Sequence, residues 1–260
     1  MNIKETTCKS ILTKSGIESV DYCINPYVGC MHACIYCYAS FMKRFTKHPE
    51  EWGGFLDIKM NAPEVLEKEI VKKRKGRILL GSVTDAYQAM ESKYEITRKI
   101  LEILLKHDFP LSILTKSPLV TRDIDILKKM KSVEVGLSIS SYSDRAAKIL
   151  EPGAYLPKDK IEALSKMKKE GIETYAFISP ILPGITNLKD IIEALAGKID
   201  YIMFEAINLR AFRVAKLHKV YRDLGIDISL LNNVNWNEIE KEARELSEKH
   251  NIPVKGFYRH

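Results

Sequence analysis

The 260-residue chain has no cysteine beyond position 37 and no Gly-, Ser- or Pro-rich stretch that would divide it into two folding units. No apolar run approaches the ~18 residues that a membrane-spanning helix needs. The opening residues, MNIKETTCKSILTKSG, lack the apolar region of a secretory signal. These absences predict a cytoplasmic protein with no membrane partner, in which thiols stay reduced and clustered cysteines serve metals or catalysis. There is also no low-complexity segment and no repeat at a fixed period of 20–50 residues.

What is present is a regular alternation of short apolar runs and amphipathic segments. Strands are expected at 19–27, 77–82, 111–117, 133–140, 173–184 and 200–208. Helices are expected at 61–74, 92–107, 121–130, 157–171, 187–197, 210–225 and 235–251. Asn61 is the expected N-cap of the first, and Gly171 and Gly197 are the expected stops of two others. Strands this apolar, separated by helices, predict an α/β fold with a parallel sheet covered by helices. Chemistry in such folds gathers at the C-terminal ends of the strands. There the sequence places GSVTDAYQ (81–88), TKS (115–117), SISS (138–141), SPILPG (179–184) and FEAIN (204–208), all polar or rich in Gly and Pro.

After the first strand come three of the five cysteines, Cys30, Cys34 and Cys37, spaced C-x3-C-x2-C. A disulfide would leave one thiol over, and a tetrahedral zinc site would need Cys8 or Cys23 as fourth ligand. Three thiolates in one short loop also suit an iron–sulfur cluster, with one iron left open to a small molecule. Cys23 alternates with apolar residues and is expected to be buried, and Cys8 to lie outside the site. The net charge, 41 − 34 = +7, fits attraction to a polyanion but also fits a Lys- and Glu-rich surface. The basic run KKRKGR (72–77) is read as a solvated helix end.

With Tyr36 just before the last cysteine, this motif resembles the signature of the radical S-adenosylmethionine (SAM) superfamily over roughly residues 19–208. The stretches NPYVGCMHACIYCYA, GSVTDAYQAMESKYEITRKILEIL, LTKSPLVTRDIDIL, GLSISS and ISPILPGITN resemble more closely its spore photoproduct lyase-like (DNA repair photolyase-like) branch. The resemblance implies a partial (β/α)6 TIM-type barrel with a short C-terminal helical extension. Residues 1–18 would be an N-terminal extension, 19–208 the core, and 209–260 helices closing the barrel. It implies Cys30, Cys34 and Cys37 as ligands of a 4Fe-4S cluster that reductively cleaves SAM. The resulting 5′-deoxyadenosyl radical would abstract hydrogen from a substrate, with ferredoxin or flavodoxin as one-electron donor.

The same resemblance distributes SAM over the strand ends. Ser82, Thr84 and Asp85, where the family often carries Gly-Gly-Glu, are expected at its amino group and Lys116 at its carboxylate. Ser138 and Ser140 are expected at the ribose. Tyr36, Ile181, Pro183, Phe204 and Ala206 are expected around adenine, and Glu205 faces either cavity or solvent. Tyr87, Tyr36 and Tyr38 are candidate radical relays. The stretch LLGSVTDAYQ holds no cysteine where spore photoproduct lyase keeps the thiol that quenches its product radical, so thymine-dimer repair is not the expected activity. The substrate is left open between a small molecule and nucleic acid, the latter through lesion repair or RNA modification. A cluster-bearing redox protein without SAM turnover is the remaining alternative.

Overall fold

A computed structural model describes residues 1–209 and 214–259. Its strands are β1 (Asn2–Thr6), β2 (Leu12–Lys14), β3 (Tyr22–Ile24), β4 (Tyr27–Val28), β5 (Phe55–Lys59), β6 (Ile78–Leu80), β7 (Leu111–Thr115), β8 (Val133–Ser138), β9 (Glu173–Ile181), β10 (Tyr201–Ala206) and β11 (Val254–Tyr258). Its helices are α1 (Ala62–Ile70), α2 (Glu91–Tyr94), α3 (Ile96–His107), α4 (Ile124–Leu127), α5 (Asp144–Leu150), α6 (Pro157–Lys169), α7 (Leu188–Leu195), α8 (Val214–Leu224) and α9 (Trp236–Lys249).

The main sheet runs in the order β11-β10-β9-β8-β7-β6-β3-β2. All neighbours are parallel except the edge pair β2–β3. The six expected strands are all present in this sheet. Because helices cover one face, Ile113, Val135, Leu137, Ala176, Ile178, Ile202 and Phe204 share a core with Leu164, Met167, Ile191, Ile192 and Leu195. The opposite, inner face carries the registered row Leu114, Gly136, Tyr175, Tyr201. Tyr175 stacks on Tyr201 with ring centroids 5.0 Å apart, and a Cβ on Gly136 would overlap the Tyr175 ring. Glycine therefore lets an aromatic floor fill the interior below the strand ends.

The ends of the chain differ from the expectation. The segment before residue 19 carries two strands: β2 pairs with β3, and β1 pairs with β5, which also holds β4 in a second, three-stranded sheet. The region after residue 208 is not helices alone, because β11 adds a parallel strand beside β10 and α9 packs on it. The expected helix at 210–225 begins on residues outside those described and is observed from Val214. The helix expected at 92–107 is broken into α2 and α3 at Glu95, whose φ is +53°. Asn61 occupies the cap position of α1, but its side chain instead bridges the Cys8 N–H and carbonyl. Among the described residues no helix is long and apolar enough to cross a membrane.

Candidate active site

The cysteine loop leaves β4 and is clamped from several sides. Lys59 Nζ donates to the Asn25 carbonyl at 2.8 Å where the chain enters the loop. Gly29 adopts φ +93°, open to glycine, against the Phe55 carbonyl of β5. Thr84 Oγ1 donates to the Gly29 carbonyl at 2.5 Å, and the Met31 N–H donates to Gln88 Oε1 at 2.8 Å. On the far side, Ile35 N–H donates to the Leu150 carbonyl and Gly153 N–H to the His32 carbonyl. A Cβ at Gly153 would overlap the Met31 carbonyl oxygen, so only glycine lets the segment after α5 lie this close.

All five cysteines are free thiols. Cys30 is buried, while Cys34 and Cys37 are partly exposed. Burial first, then the Glu151 charge and the neighbouring Cys37 and Cys30, push the Cys34 thiol well up from the usual value. Burial and then Cys30 push Cys37 up to about 11, against opposition from the Ala39 N–H and the Trp52 indole. The Lys116 ammonium opposes both shifts, so the sulfurs feel one another beside a shared cation. Among the described residues no three His, Cys, Asp or Glu side chains are closed around a single-ion site. A cuboidal cluster, whose corners stand apart, accepts thiolates spaced more widely than one ion does.

Beside the thiols lies a buried polar hub that sequence reasoning missed. Glu151, 2 % exposed, accepts from Lys160 Nζ at 2.6 Å, Ser140 Oγ at 2.8 Å and Lys116 Nζ at 3.1 Å, and also from the Tyr36 hydroxyl. Burial alone would raise its carboxyl, but Lys116 and Lys160 hold it well below the usual carboxylate range. Lys116 Nζ also donates to Ser138 Oγ at 2.7 Å and stands 5.4 Å from the centroid of the Tyr36 ring. Burial pulls the Lys116 ammonium down, and Glu151 with Cys34 more than offsets that.

Of the residues expected at the site, Tyr36, Lys116, Ser138 and Ser140 converge on this hub. Ser82 accepts from Asn25 Nδ2 at 3.0 Å, and its carbonyl accepts from the Tyr38 hydroxyl. Asp85 is turned inward: Oδ1 accepts from Thr115 Oγ1 at 2.6 Å and Tyr87 N–H at 2.8 Å, and Oδ2 from Lys116 N–H at 2.8 Å. His32 Nδ1, in a ring only 1 % exposed, stands 3.2 Å from the same Oδ2. Burial would raise Asp85, but His32, Thr115 and the Lys116 N–H bring it to about 2. Asp85 and Thr84 therefore brace the cysteine loop, and their expected place at the SAM amino group is corrected accordingly.

Three further expectations change. Tyr87 does not line the mouth: it is 0 % exposed, with Asp123, Glu91 and Arg122 as its charged neighbours. Phe204 stacks on Phe257 at 5.9 Å, on the helix-covered face of β10 opposite Met203 and Glu205. Ile181 registers with Ala206 and belongs to the same core. The residue of β10 that faces the mouth is Glu205, which accepts from the Ser179 hydroxyl, while Ser138 Oγ donates to the Ser179 carbonyl at 3.2 Å. The strand runs are apolar on both faces, so their spacing alone did not assign the faces. Glu151 carried one signal, an acid beside Pro and Gly in a loop (LEPGAYLP), but it sits behind the unrecognised α5.

The parallel sheet thus brings a triplet of thiols and a buried Lys–Glu–Lys group together at its strand ends. A family model described as the radical SAM superfamily matches residues 24–196, and the chain belongs to that superfamily. Its members use a 4Fe-4S cluster and SAM, and the chain is a radical SAM enzyme. An uncharacterized protein of Methanocaldococcus jannaschii is 34% identical over 261 residues, covering 100% of this chain and 98% of its own. A Pseudomonas phage M6 protein named radical SAM Nalpha-GlyT isomerase is 26% identical over 168 residues, 64% of this chain and 34% of that one. Spore photoproduct lyase complexed with dinucleoside spore photoproduct superposes with a TM-score of 0.69 at 17% identity, covering 99% of this chain and 81% of that one. That likeness shows the fold, a partial TIM-type barrel.

Proposed function

We propose that Cys30, Cys34 and Cys37 hold three irons of the cluster, and that SAM chelates the fourth from the rim formed by Lys116, Ser138 and Ser82. The observation that carries this reading is three interacting thiols in one clamped loop, with Lys116 beside them. When bound and reduced, the cluster supplies the electron that cleaves SAM to methionine and a 5′-deoxyadenosyl radical. Lys116 has three ammonium protons, two of them given to Ser138 and Glu151, and the third is available to the SAM carboxylate. Ser138 and Ser179 supply hydroxyls for the ribose, and Glu205 an acceptor beside them. The Tyr175–Tyr201 floor keeps water from rising through the interior to the site. That radical would take one hydrogen atom from the substrate, becoming 5′-deoxyadenosine and leaving a substrate radical.

Lys116→Met leaves Glu151 paired with Lys160, so the fold should survive. SAM affinity should fall about tenfold or more, the loss of ~1.4 kcal/mol or more of charge-assisted binding. Calorimetry on the anaerobically reconstituted protein reads it, and unchanged affinity removes Lys116 from the site.

Nucleic acid is the second reading for the substrate. The segment after Cys37 exposes Phe41 and Phe45, with the Arg44 guanidinium 5.3 and 4.7 Å from their ring centroids. Rings interleaved with cations on a chain of +7 net charge suit bases and phosphates. Binding that weakens steeply with salt supports this reading, and salt-independent binding opposes it. The electron donor, a ferredoxin or flavodoxin, belongs to the same proposal.

A further inference from the structure

We infer that Lys160, a lysine buried in α6 that does not itself reach SAM, provides the charge that makes Lys116 an anion site, by neutralising Glu151 from behind. The inference rests on the reading of Lys116 as the partner of the SAM carboxylate. Glu151 is the only carboxylate hydrogen-bonded to either ammonium among the described residues. With Lys116 alone, the Glu151 pair would be neutral, and a carboxylate arriving at Lys116 would meet Glu151 as a like charge. Lys160 stands 2.6 Å from Oε2, on the oxygen that Lys116 does not use. The three charges sum to +1, and the surplus lies on Lys116, the only one of the three with a partly exposed side chain (15 % against 2 % and 2 %).

The remaining partners of the hub are uncharged: Tyr36, Ser138 and Ser140. Asp85, on the backbone side of Lys116, is matched by His32. Among the side chains hydrogen-bonded within the hub, the net charge is thus that of the triad, the thiols of the cysteine loop lying beside it. A lysine at 1 % exposure is costly to bury, and that cost is met here by one short ion pair. Tyr36, Ser140 and Lys116 all meet Oε1, so Lys160 supplies both the hydrogen bond to Oε2 and the second positive charge. A neutral donor would satisfy Oε2 as well, but only a cation changes the local sum of charge. It lies at the start of α6, four residues after Leu156, whose carbonyl accepts the Lys160 N–H. The short link from Glu151 to α6 brings both members of the pair to one place.

The test compares Lys160→Met with the double variant Lys160→Met/Glu151→Gln, which restores the local sum to +1 with Lys116 alone. Equilibrium binding is measured for SAM and for its decarboxylated analogue on the reconstituted protein, and the ratio of the two affinities is read. Loss of the carboxylate's chelation is common to all forms of the protein, so changes in the ratio report the anion site. Lys160→Met should shrink the preference for SAM about tenfold, the scale of one nearby charge at the effective dielectric of a partly buried site. The double variant should regain most of that preference. A purely structural Lys160 would move both affinities together and leave the ratio unchanged, which overturns the inference. A double variant no better than a folded single variant also overturns it. Should the single variant fail to fold, a folded double variant with the wild-type ratio supports the inference and one without it opposes it. A wild-type protein that shows no preference for the carboxylate removes Lys116 from the SAM site, and the inference with it.

Discussion

Alanine at Cys30, Cys34 or Cys37 is expected to give a folded, colourless protein that releases no 5′-deoxyadenosine from SAM. The fold should survive because the loop is held by groups other than its thiols. Thr84 fixes the Gly29 carbonyl, Gln88 the Met31 N–H, and the Leu150 and His32 carbonyls tie the loop to the segment around Glu151. The chemistry should not survive if each thiolate is one of the three proposed ligands, because no other cysteine is placed to replace it. Cys23 is buried in β3, and Cys8 is bound through its backbone to Asn61. Cys8→Ala/Cys23→Ala should therefore keep the visible absorbance and cleave SAM near the wild-type rate. Circular dichroism, iron content and product chromatography on the same samples separate these outcomes. A single cysteine variant that retained full iron and turnover would remove that thiol from the ligand set.

Asp85→Ala should be the most destabilising single change near the site. The carboxylate is almost fully buried and accepts from Thr115, the Tyr87 and Lys116 N–H groups and the His32 side of the cysteine loop. Removing it leaves these donors without a partner and His32 without its countercharge, a loss of roughly 3–5 kcal/mol. For a chain of this length that corresponds to a fall in Tm on the order of 10 °C. The pH dependence has a definite sign. Asp85 titrates at about 2 in the fold against a usual 3.8, so its contribution is present above the higher value and is lost as pH falls through the lower one. Wild-type apoprotein should lose stability between about pH 4 and 2, and the variant should lack that component. Equal acid sensitivity in both would show that Asp85 is not the charged brace of the loop.

The parts of the molecule legible in sequence are those with strong local signals. The strands β3 and β6–β10 announce themselves as apolar runs, and the cysteine spacing needs no tertiary information. Lys116, Ser138 and Ser140 lie at or just after the ends of buried strands, and the structure brings these polar residues together on one rim. The second sheet was not legible, since β1 (NIKET) is mostly polar and β5 pairs with it across some fifty residues. The edge strand β11 is short and contains a glycine. Helix α5, capped by Ser143, is only seven residues long, too short for its periodicity to show, and Glu151 follows directly after it. Lys160 was hidden for the opposite reason: it sits among four other lysines of α6, and only the fold distinguishes the buried one. Phe204 and Glu205 are neighbours on a strand buried on one face and half-open on the other. Their order along the chain cannot say which points inward until the register with β9 is known.

The most direct test of the central claim is electron paramagnetic resonance of the anaerobically reconstituted, reduced protein, recorded before and after SAM is added and calibrated against iron content. One 4Fe-4S cluster per chain is expected, with a signal that changes on SAM addition and with 5′-deoxyadenosine formed on turnover. A folded, zinc-loaded, colourless protein, or a cluster signal indifferent to SAM, would contradict it.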